Sequence, residues 1–188
     1  MALAITDYKP VFSDYHHGAT SFIHILSKPI ATTRDTVMTQ DDTYKLKDAR
    51  FKSARNISTT LAFCGKNNTE KALQLNQLAY FTKQSVCFID CQRLVQKYIG
   101  ETEKNLLKLI AQAESEHWIL FFDEADALFD NQTRVQDTHD KYANQEISYL
   151  LKRLSRYPGL AIFSLLEKSR HQAIQYMVDS VITFRPLK

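Results

Sequence analysis

The chain has 188 residues, of which 44% are hydrophobic and 24% are charged, which suits one compact domain with a sizeable core and excludes two full domains. Its formal net charge of +3 is small, so composition favours neither a nucleic-acid-binding nor a membrane-surface protein. No apolar run approaches the roughly 18 residues of a bilayer span, and the three cysteines form no Cys-x-x-Cys pair. We therefore predict a cytoplasmic protein with buried thiols.

The first 56 residues carry the weakest pattern, and we predict that they form an arm or extension before an α/β domain at residues 57–188. Within them, Ser21–Leu26 is typical of a strand, and Lys45–Arg55 is a basic stretch interrupted by aromatic and aliphatic residues. The basic stretch has two interpretations. It forms a solvated helix face or extended arm, or it docks onto an acidic neighbour.

From residue 59 onwards, strand-like and helix-like segments alternate. The apolar runs predict strands at 59–64, 85–90, 118–123, 160–165 and 180–184. Helical periodicity predicts helices at 70–81, 101–113, 141–156 and 172–177. This alternation predicts a five-stranded parallel sheet with helices on both faces.

The central predicted strand ends in adjacent carboxylates. Residues 118–122 are wholly apolar, and Asp123 and Glu124 follow directly. Ligands of open α/β sheets bind beyond the carboxyl ends of the strands, where these acids would lie. In nucleotidases, an acid at this place holds Mg²⁺ and a second orients the attacking water. Asp123 is therefore the candidate metal ligand and Glu124 its catalytic partner; the alternative is a polar strand end that only caps the sheet.

From about Thr59 to Leu187 the sequence resembles the large subdomain of an AAA+ ATPase. The resemblance implies a three-layer α/β domain like those of P-loop nucleotidases, with the C-terminal helical lid missing because the sequence stops at Lys188. Three segments match the family in order: Leu94-Val-Gln-Lys-Tyr-Ile-Gly-Glu-Thr-Glu-Lys104, Phe121-Phe-Asp-Glu-Ala-Asp-Ala-Leu128 and Asp137-Thr-His-Asp-Lys-Tyr-Ala-Asn-Gln-Glu-Ile-Ser-Tyr-Leu-Leu151. The third segment is most similar to AAA+ proteins of phage-tail-like contractile injection systems.

The segment that corresponds to the family's phosphate-binding loop departs from its pattern. The pattern G-x-x-x-x-G-K-[ST] reads Gly65-Lys-Asn-Asn-Thr-Glu-Lys-Ala72 here. Gly65 and Lys71 are retained and, with Asp123, are the candidate nucleotide-binding residues. Glu70 replaces the second glycine, and one like-charge contact with phosphate would cost about 3 kcal/mol. Ala72 replaces the hydroxyl that holds Mg²⁺, so we expect weak binding of ATP and Mg²⁺ at most.

Two further catalytic parts of the family are replaced in this sequence. Leu166 occupies the position of the polar residue that helps to place the attacking water, and Tyr176 and Met177 stand where the family has arginines that reach a neighbouring subunit. An arginine of this kind is worth roughly 10³ to 10⁵ in rate. The resemblance therefore implies that Asp123 and Glu124 are vestigial catalytic residues.

The segment Lys97, Tyr98 and Ile99 matches the pore loop with which the family's rings grip extended polypeptide. We predict that these three residues bind a protein partner. The alternative is that Tyr98 packs on the edge of the sheet within a β-to-α connection.

Together these features predict a catalytically degenerate AAA+-like domain that acts as a scaffold or a regulatory or assembly subunit. No cofactor is expected to be required, and the predicted partners are proteins, including AAA+-like chains in a homo- or hetero-oligomer. One alternative is an ATP-binding subunit that hydrolyses ATP only when a partner supplies the missing residues. Another, in which Lys45–Arg55 holds nucleic acid or an anionic surface, is less favoured by the small net charge.

Overall fold

A computed structural model describes residues 13–14, 23–26, 29, 38–97, 101–130, 149, 152–166 and 177–185. The strands are β1 (Ser13–Asp14), β2 (Ile23–Leu26), β3 (Thr59–Cys64), β4 (Val86–Asp90), β5 (Ile119–Asp123), β6 (Leu160–Leu165) and β7 (Ser180–Thr183). The helices are α1 (Gln40–Ser53), α2 (Asn68–Thr82), α3 (Cys91–Lys97), α4 (Glu101–Ser115) and α5 (Asp126–Asp130).

The strands form one sheet in the order β1-β2-β4-β5-β6-β3-β7. The five strands from β4 to β7 in this order are all parallel, which confirms the predicted five-stranded parallel sheet. Two N-terminal strands extend it, because β2 pairs antiparallel with β4 and β1 pairs antiparallel with β2. The strand predicted at Ser21–Leu26 is therefore present as β2.

Alternate residues of each central strand pack against different helices. In β5, Ile119 and Phe121 belong to a cluster with residues of α1 and α2, whereas Leu120 and Phe122 belong to a cluster with residues of α3 and α4. Both faces of the sheet are therefore covered, as the unbroken apolar run of β5 predicts. The domain has the three-layer α/β arrangement expected of a P-loop nucleotidase.

The described part of the N-terminal segment contributes to this same core. Helix α1 carries the predicted basic stretch, and its Leu46 and Ala49 are buried against the sheet. Thr39 caps the helix by accepting a hydrogen bond from the Asp42 N–H at 3.0 Å. The predicted division at residue 56 stays a prediction.

Two predicted helices fall largely outside the described residues. Of residues 141–156, the structure describes 149 and 152–156, with helix at 149 and 152–154, and of residues 172–177 it describes only Met177. The cysteines Cys64, Cys87 and Cys91 are buried free thiols, as predicted. Within the described part of the chain, no helix has the length and apolar character of a membrane span.

Candidate functional site

The carboxyl ends of the parallel strands bring the predicted site residues to one edge of the sheet. Gly65 follows β3, Asp90 ends β4 and Asp123 ends β5. Asp90 and Asp123 are register partners. The pairing of β5 with β6, continued by one residue, places Ser164 beside Asp123. These side chains therefore meet at the edge where ligands of parallel sheets bind.

Lys71 is held at this edge by helix α2. Its side chain is buried, with 2% of the residue exposed. The ammonium Nζ donates hydrogen bonds to the Ser164 Oγ at 3.2 Å and to the Leu165 carbonyl oxygen at 2.8 Å. The lysine is therefore anchored to the end of β6 by one hydroxyl and one backbone carbonyl.

Ser164 connects Lys71 to Asp123. Its hydroxyl accepts from Lys71 and is also hydrogen-bonded to the Asp123 carboxylate. Burial lowers the pKa of Lys71, and the charge of Asp123 opposes that shift. Burial likewise raises the pKa of Asp123, although hydrogen bonds from Ser164 and the Glu124 N–H and the charge of Lys71 act against it. Desolvation outweighs the mutual attraction for both groups.

The raised pKa of Asp123 predicts a specific pH dependence. Because the folded-state pKa lies above the ordinary value of 3.8, the folded protein binds a proton in a range where the unfolded chain does not. Because the folded state disfavours the charged carboxylate, protonation of that carboxylate stabilises the folded state relative to the unfolded chain. We therefore expect the wild type to gain stability relative to Asp123→Asn as the pH falls from 7 towards about 4. Urea unfolding of both proteins across this range measures the difference, and a relative loss in the wild type would contradict the prediction.

Glu124 differs from Asp123 in exposure and in backbone conformation. Its side chain is exposed, and its φ of 50° lies in the left-handed region that non-glycine residues seldom adopt. Burial and then the charges of Asp123, Asp90 and Asp126 raise its pKa. Asp126 accepts a hydrogen bond from the Leu166 N–H at 2.9 Å. The two predicted catalytic acids thus lie side by side, with Asp123 half-buried and Glu124 exposed.

Gly65 is required by a close approach of two strand ends. Its φ is 129°, and a Cβ on this residue would lie 2.0 Å from the Phe184 carbonyl oxygen. The Phe184 N–H donates to the Cys64 carbonyl oxygen at 2.7 Å, and the Gly65 N–H donates to the Leu165 carbonyl oxygen at 3.0 Å. The ends of β3, β6 and β7 are therefore joined through this glycine.

The loop after β3 is short because α2 begins early. Only Gly65, Lys66 and Asn67 separate β3 from the helix, and the side-chain oxygen of Asn67 accepts from the Glu70 N–H at 3.2 Å. Glu70 is thus the third residue of α2, and it is buried, with 8% of the residue exposed. An acid at this position is favoured by the positive end of the helix dipole. The position of the pattern's second glycine is therefore helical in this protein.

A pocket of about 210 Å³ opens between α2 and the sheet beside these residues. Its base is aromatic, since the rings of Phe88 and Phe121 stack with centroids 5.4 Å apart. The pocket is lined by Asn68, Lys71, Ala72, Leu75, Phe88, Phe121, Asp123 and Ser164. Among the described residues, no group of three or more His, Cys, Asp or Glu side chains is arranged to hold a metal ion. The role of Asp123 as a Mg²⁺ ligand stays a prediction.

Most predicted site residues within the described ranges share this edge of the sheet. Gly65, Lys71, Asp123 and Glu124 lie there, whereas Lys97 ends helix α3 and Tyr98 and Ile99 lie outside the described residues. Sequence reasoning missed Ser164, which links the lysine to the carboxylate. The available signal was a single hydroxyl near the end of its apolar run, on a strand next to the one that ends in Asp123.

Comparison with known proteins agrees with this architecture. Residues 61–168 match the family model described as "ATPase family associated with various cellular activities (AAA)". The match covers more than half of the chain and extends from β3 past the end of β6. No curated protein matches the sequence at a significant level. With the parallel sheet, the lysine on the helix after β3 and the Asp-Glu pair at the end of β5, the match shows that this chain belongs to the AAA family.

Proposed function

We propose that this AAA domain has lost nucleotide turnover and acts by binding other proteins, as a scaffold, an assembly factor or a regulatory subunit. One observation carries the proposal: groups that a triphosphate would need already have partners within the protein. The Lys71 ammonium is bound to Ser164 and Leu165, and the Gly65 N–H is also bound to Leu165. Asn67 caps the N–H of Glu70 at the start of α2.

Lys71 would have to give up its present hydrogen bonds to bind a phosphate. A hydrogen bond to a charged group contributes about 1.5–3 kcal/mol, so moving the ammonium to a phosphate would sacrifice two such bonds before any new one forms. In the family's pattern, positions 70 and 72 also lie against the triphosphate. Here they are the buried Glu70, which does not line the pocket, and Ala72, whose methyl group supplies no oxygen for Mg²⁺. These residues do not fit a triphosphate with its metal ion.

A second candidate function is partner-dependent ATP hydrolysis. It is favoured by the retained constellation: Lys71 and Asp123 face the same pocket on either side of Ser164, and Glu124 beside them is open to solvent. Under this alternative, a second chain would provide the missing arginine. Lys71 would then have to leave its partners on β6.

The proposed partners are proteins of a cytoplasmic assembly, including AAA-type chains. The resemblance of the segment at 137–151 suggests a machine related to contractile injection systems as the setting. Lys97, Tyr98 and Ile99 are the proposed partner-binding residues at the pore-loop position. Lys97 is the last residue of α3, whose Cys91 and Leu94 belong to the core.

Isothermal titration with ATP and Mg²⁺ tests the proposal. The wild type is expected to show no binding heat, whereas Glu70→Gly with Ala72→Thr should gain measurable affinity because it removes the acid and restores the hydroxyl. Adding Lys71→Met to this double variant should abolish the gain, which provides the control. Wild-type binding at about 100 μM or tighter would overturn the misfit of the site to ATP and Mg²⁺, and phosphate release that stops on Asp123→Ala would overturn the loss of turnover.

A further inference from the structure

A second depression lies on the outer side of the domain, between α1 and α2. This α1–α2 groove has a volume of about 290 Å³. It is lined by Met38, Thr43, Leu46, Lys47, Arg50, Gln74, Gln77, Leu78 and Phe81. Helix α2 contributes residues 74, 77, 78 and 81 to the groove, whereas it contributes 68, 71, 72 and 75 to the pocket beside Asp123. The two cavities share no lining residue, so the groove is a separate feature.

The groove combines an apolar floor with a positive wall. Leu46 and Leu78 are buried core residues and form its floor. Lys47 and Arg50 line its α1 side, and none of the described residues that line it is acidic. Two of the three acids of α1 form ion pairs along the helix, Asp41 with Lys45 at 2.5 Å and Asp48 with Lys52 at 2.8 Å. The third, Asp42, is buried and accepts a hydrogen bond from the Thr39 hydroxyl. No lining carboxylate therefore offsets the two positive charges.

Exposed aromatic side chains lie on the two helices that form the groove, and one of them, Phe81, lines it. Of the seven large hydrophobic residues that are exposed in the described part of the chain, four lie on α1 or near the end of α2: Tyr44, Phe51, Tyr80 and Phe81. Tyr44 and Phe51 are seven residues apart on α1, so they lie on one line beside Lys47. A concentration of exposed apolar groups next to a polar rim marks an interaction surface.

Two arginines are already positioned against these rings. The Arg50 guanidinium lies 4.5 Å from the centroid of Phe81, and the Arg55 guanidinium lies 3.6 Å from the centroid of Phe51. Such cation–π contacts restrict the rotation of a long side chain before any partner arrives. An arginine held in this way loses less conformational entropy when it binds a carboxylate, and its planar fork can bind both carboxylate oxygens.

We propose that the α1–α2 groove binds an acidic segment of a partner protein, which inserts an apolar side chain against Leu46 and Leu78 and pairs carboxylates with Lys47 and Arg50. This inference goes beyond the proposed loss of turnover, because the groove is separate from the Lys71 pocket and would serve equally in an active subunit. It names the chemistry of the partner, which the protein-binding function leaves open.

The geometry favours a peptide over nucleic acid. Nucleic acid requires a row of cations along its backbone and open ring faces on which bases stack. Here two cations line the groove, and guanidinium groups occupy faces of Phe81 and Phe51. An apolar floor framed by positive charge suits an acidic segment with an apolar anchor.

Fluorescence anisotropy with the full chain tests the proposal. The binding probe is a labelled peptide of about twelve residues in which pairs of Glu and Asp alternate with Leu and Phe, and its control has Gln and Asn in place of the acids. The acidic peptide is expected to bind. Arg50→Glu should weaken it at least roughly tenfold, because a close opposite charge becomes a like charge. Lys108→Glu, an equal charge reversal on the exposed face of α4, should change affinity less than about twofold.

Thermal melting of each variant separates misfolding from loss of binding. If Arg50→Glu does not fold, Lys47→Glu replaces it, and the comparison of acidic with neutral peptide on the wild type stands by itself. Equal binding of both peptides, or no binding of the acidic peptide up to about 1 mM, would overturn the proposal. So would tighter binding of a single-stranded oligonucleotide of equal charge, or a wild-type dimer in sedimentation that Arg50→Glu dissociates.

Discussion

The variant Gly65→Ala is expected to be destabilised by about 3 kcal/mol or more, one of the largest effects of any single substitution in this domain. Two costs add. The φ of 129° is a conformation that alanine rarely adopts, and the new Cβ would lie 2.0 Å from the Phe184 carbonyl oxygen. Relief of that contact requires the end of β7 to move away from β3. The movement would strain the hydrogen bond between the Phe184 N–H and Cys64.

Thermal and urea unfolding measure the change in the free energy of unfolding. For a chain of this length, about 3 kcal/mol corresponds to a fall in Tm of roughly 6–12 °C. Thr69→Ala is the matched control, because Thr69 is exposed in the first turn of α2 and its loss should change stability by no more than about 0.5 kcal/mol. A Gly65→Ala variant within about 1 kcal/mol of the wild type would show that the glycine is not needed for the Phe184 contact.

The parallel sheet could be predicted from sequence because its strands are nearly all apolar. A strand that is buried on both faces is a continuous apolar run, without alternation of polar and apolar residues. The residues from Thr59 to Cys64 and from Leu160 to Leu165 form strands with the predicted bounds. The acids at the end of β5 were also informative, since a polar pair that follows a buried run must lie at a strand end. Strand ends in a parallel sheet converge, so the location of the site followed.

Helix α1 was harder to predict because only half of its four apolar residues face the core. Leu46 and Ala49 are buried, but Tyr44 and Phe51 are exposed, so helical periodicity is weak. The usable signal was local. Thr39 and Asp42 have the spacing of a capping box, and the Thr39 hydroxyl donates to the Asp42 carboxylate at 2.7 Å while it accepts the Asp42 N–H.

The linkage of Lys71 to Asp123 could be predicted only in part. The sequence placed both residues in one candidate nucleotide site, and their charges do act on one another. The hydroxyl between them comes from Ser164, some 93 positions away from Lys71 in sequence. Only the register of β5 with β6 places it there, and one chain cannot supply that register before the strand order is known.

Lys71→Met is expected to destabilise the domain by about 2–4 kcal/mol. Methionine fills a similar volume but cannot donate to the Ser164 hydroxyl or to the Leu165 carbonyl oxygen. Asp123 would also lose a nearby positive charge that stabilises its ionised form. Methionine has no charge to desolvate, which offsets part of this loss. The lowered pKa of Lys71 shows that burial of the charged ammonium is unfavourable. The loss should dominate because the Ser164 hydroxyl, the Leu165 carbonyl oxygen and the Asp123 carboxylate all lose the favourable interaction with the Lys71 ammonium.

A double-mutant cycle with Asp123→Asn separates a structural lysine from one that serves a ligand. If the network stabilises the fold, the double variant should lose less stability than the two single variants combined, by about 0.5–3 kcal/mol, because a neutral amide in place of the carboxylate no longer needs a countercharge. Lys108→Met on α4 is the surface control, with an expected change within about 0.5 kcal/mol. If Lys71→Met instead unfolded at the wild-type urea concentration and abolished nucleotide-dependent binding of a partner, the lysine would serve a ligand. The second candidate function, partner-dependent ATP hydrolysis, would then replace the first.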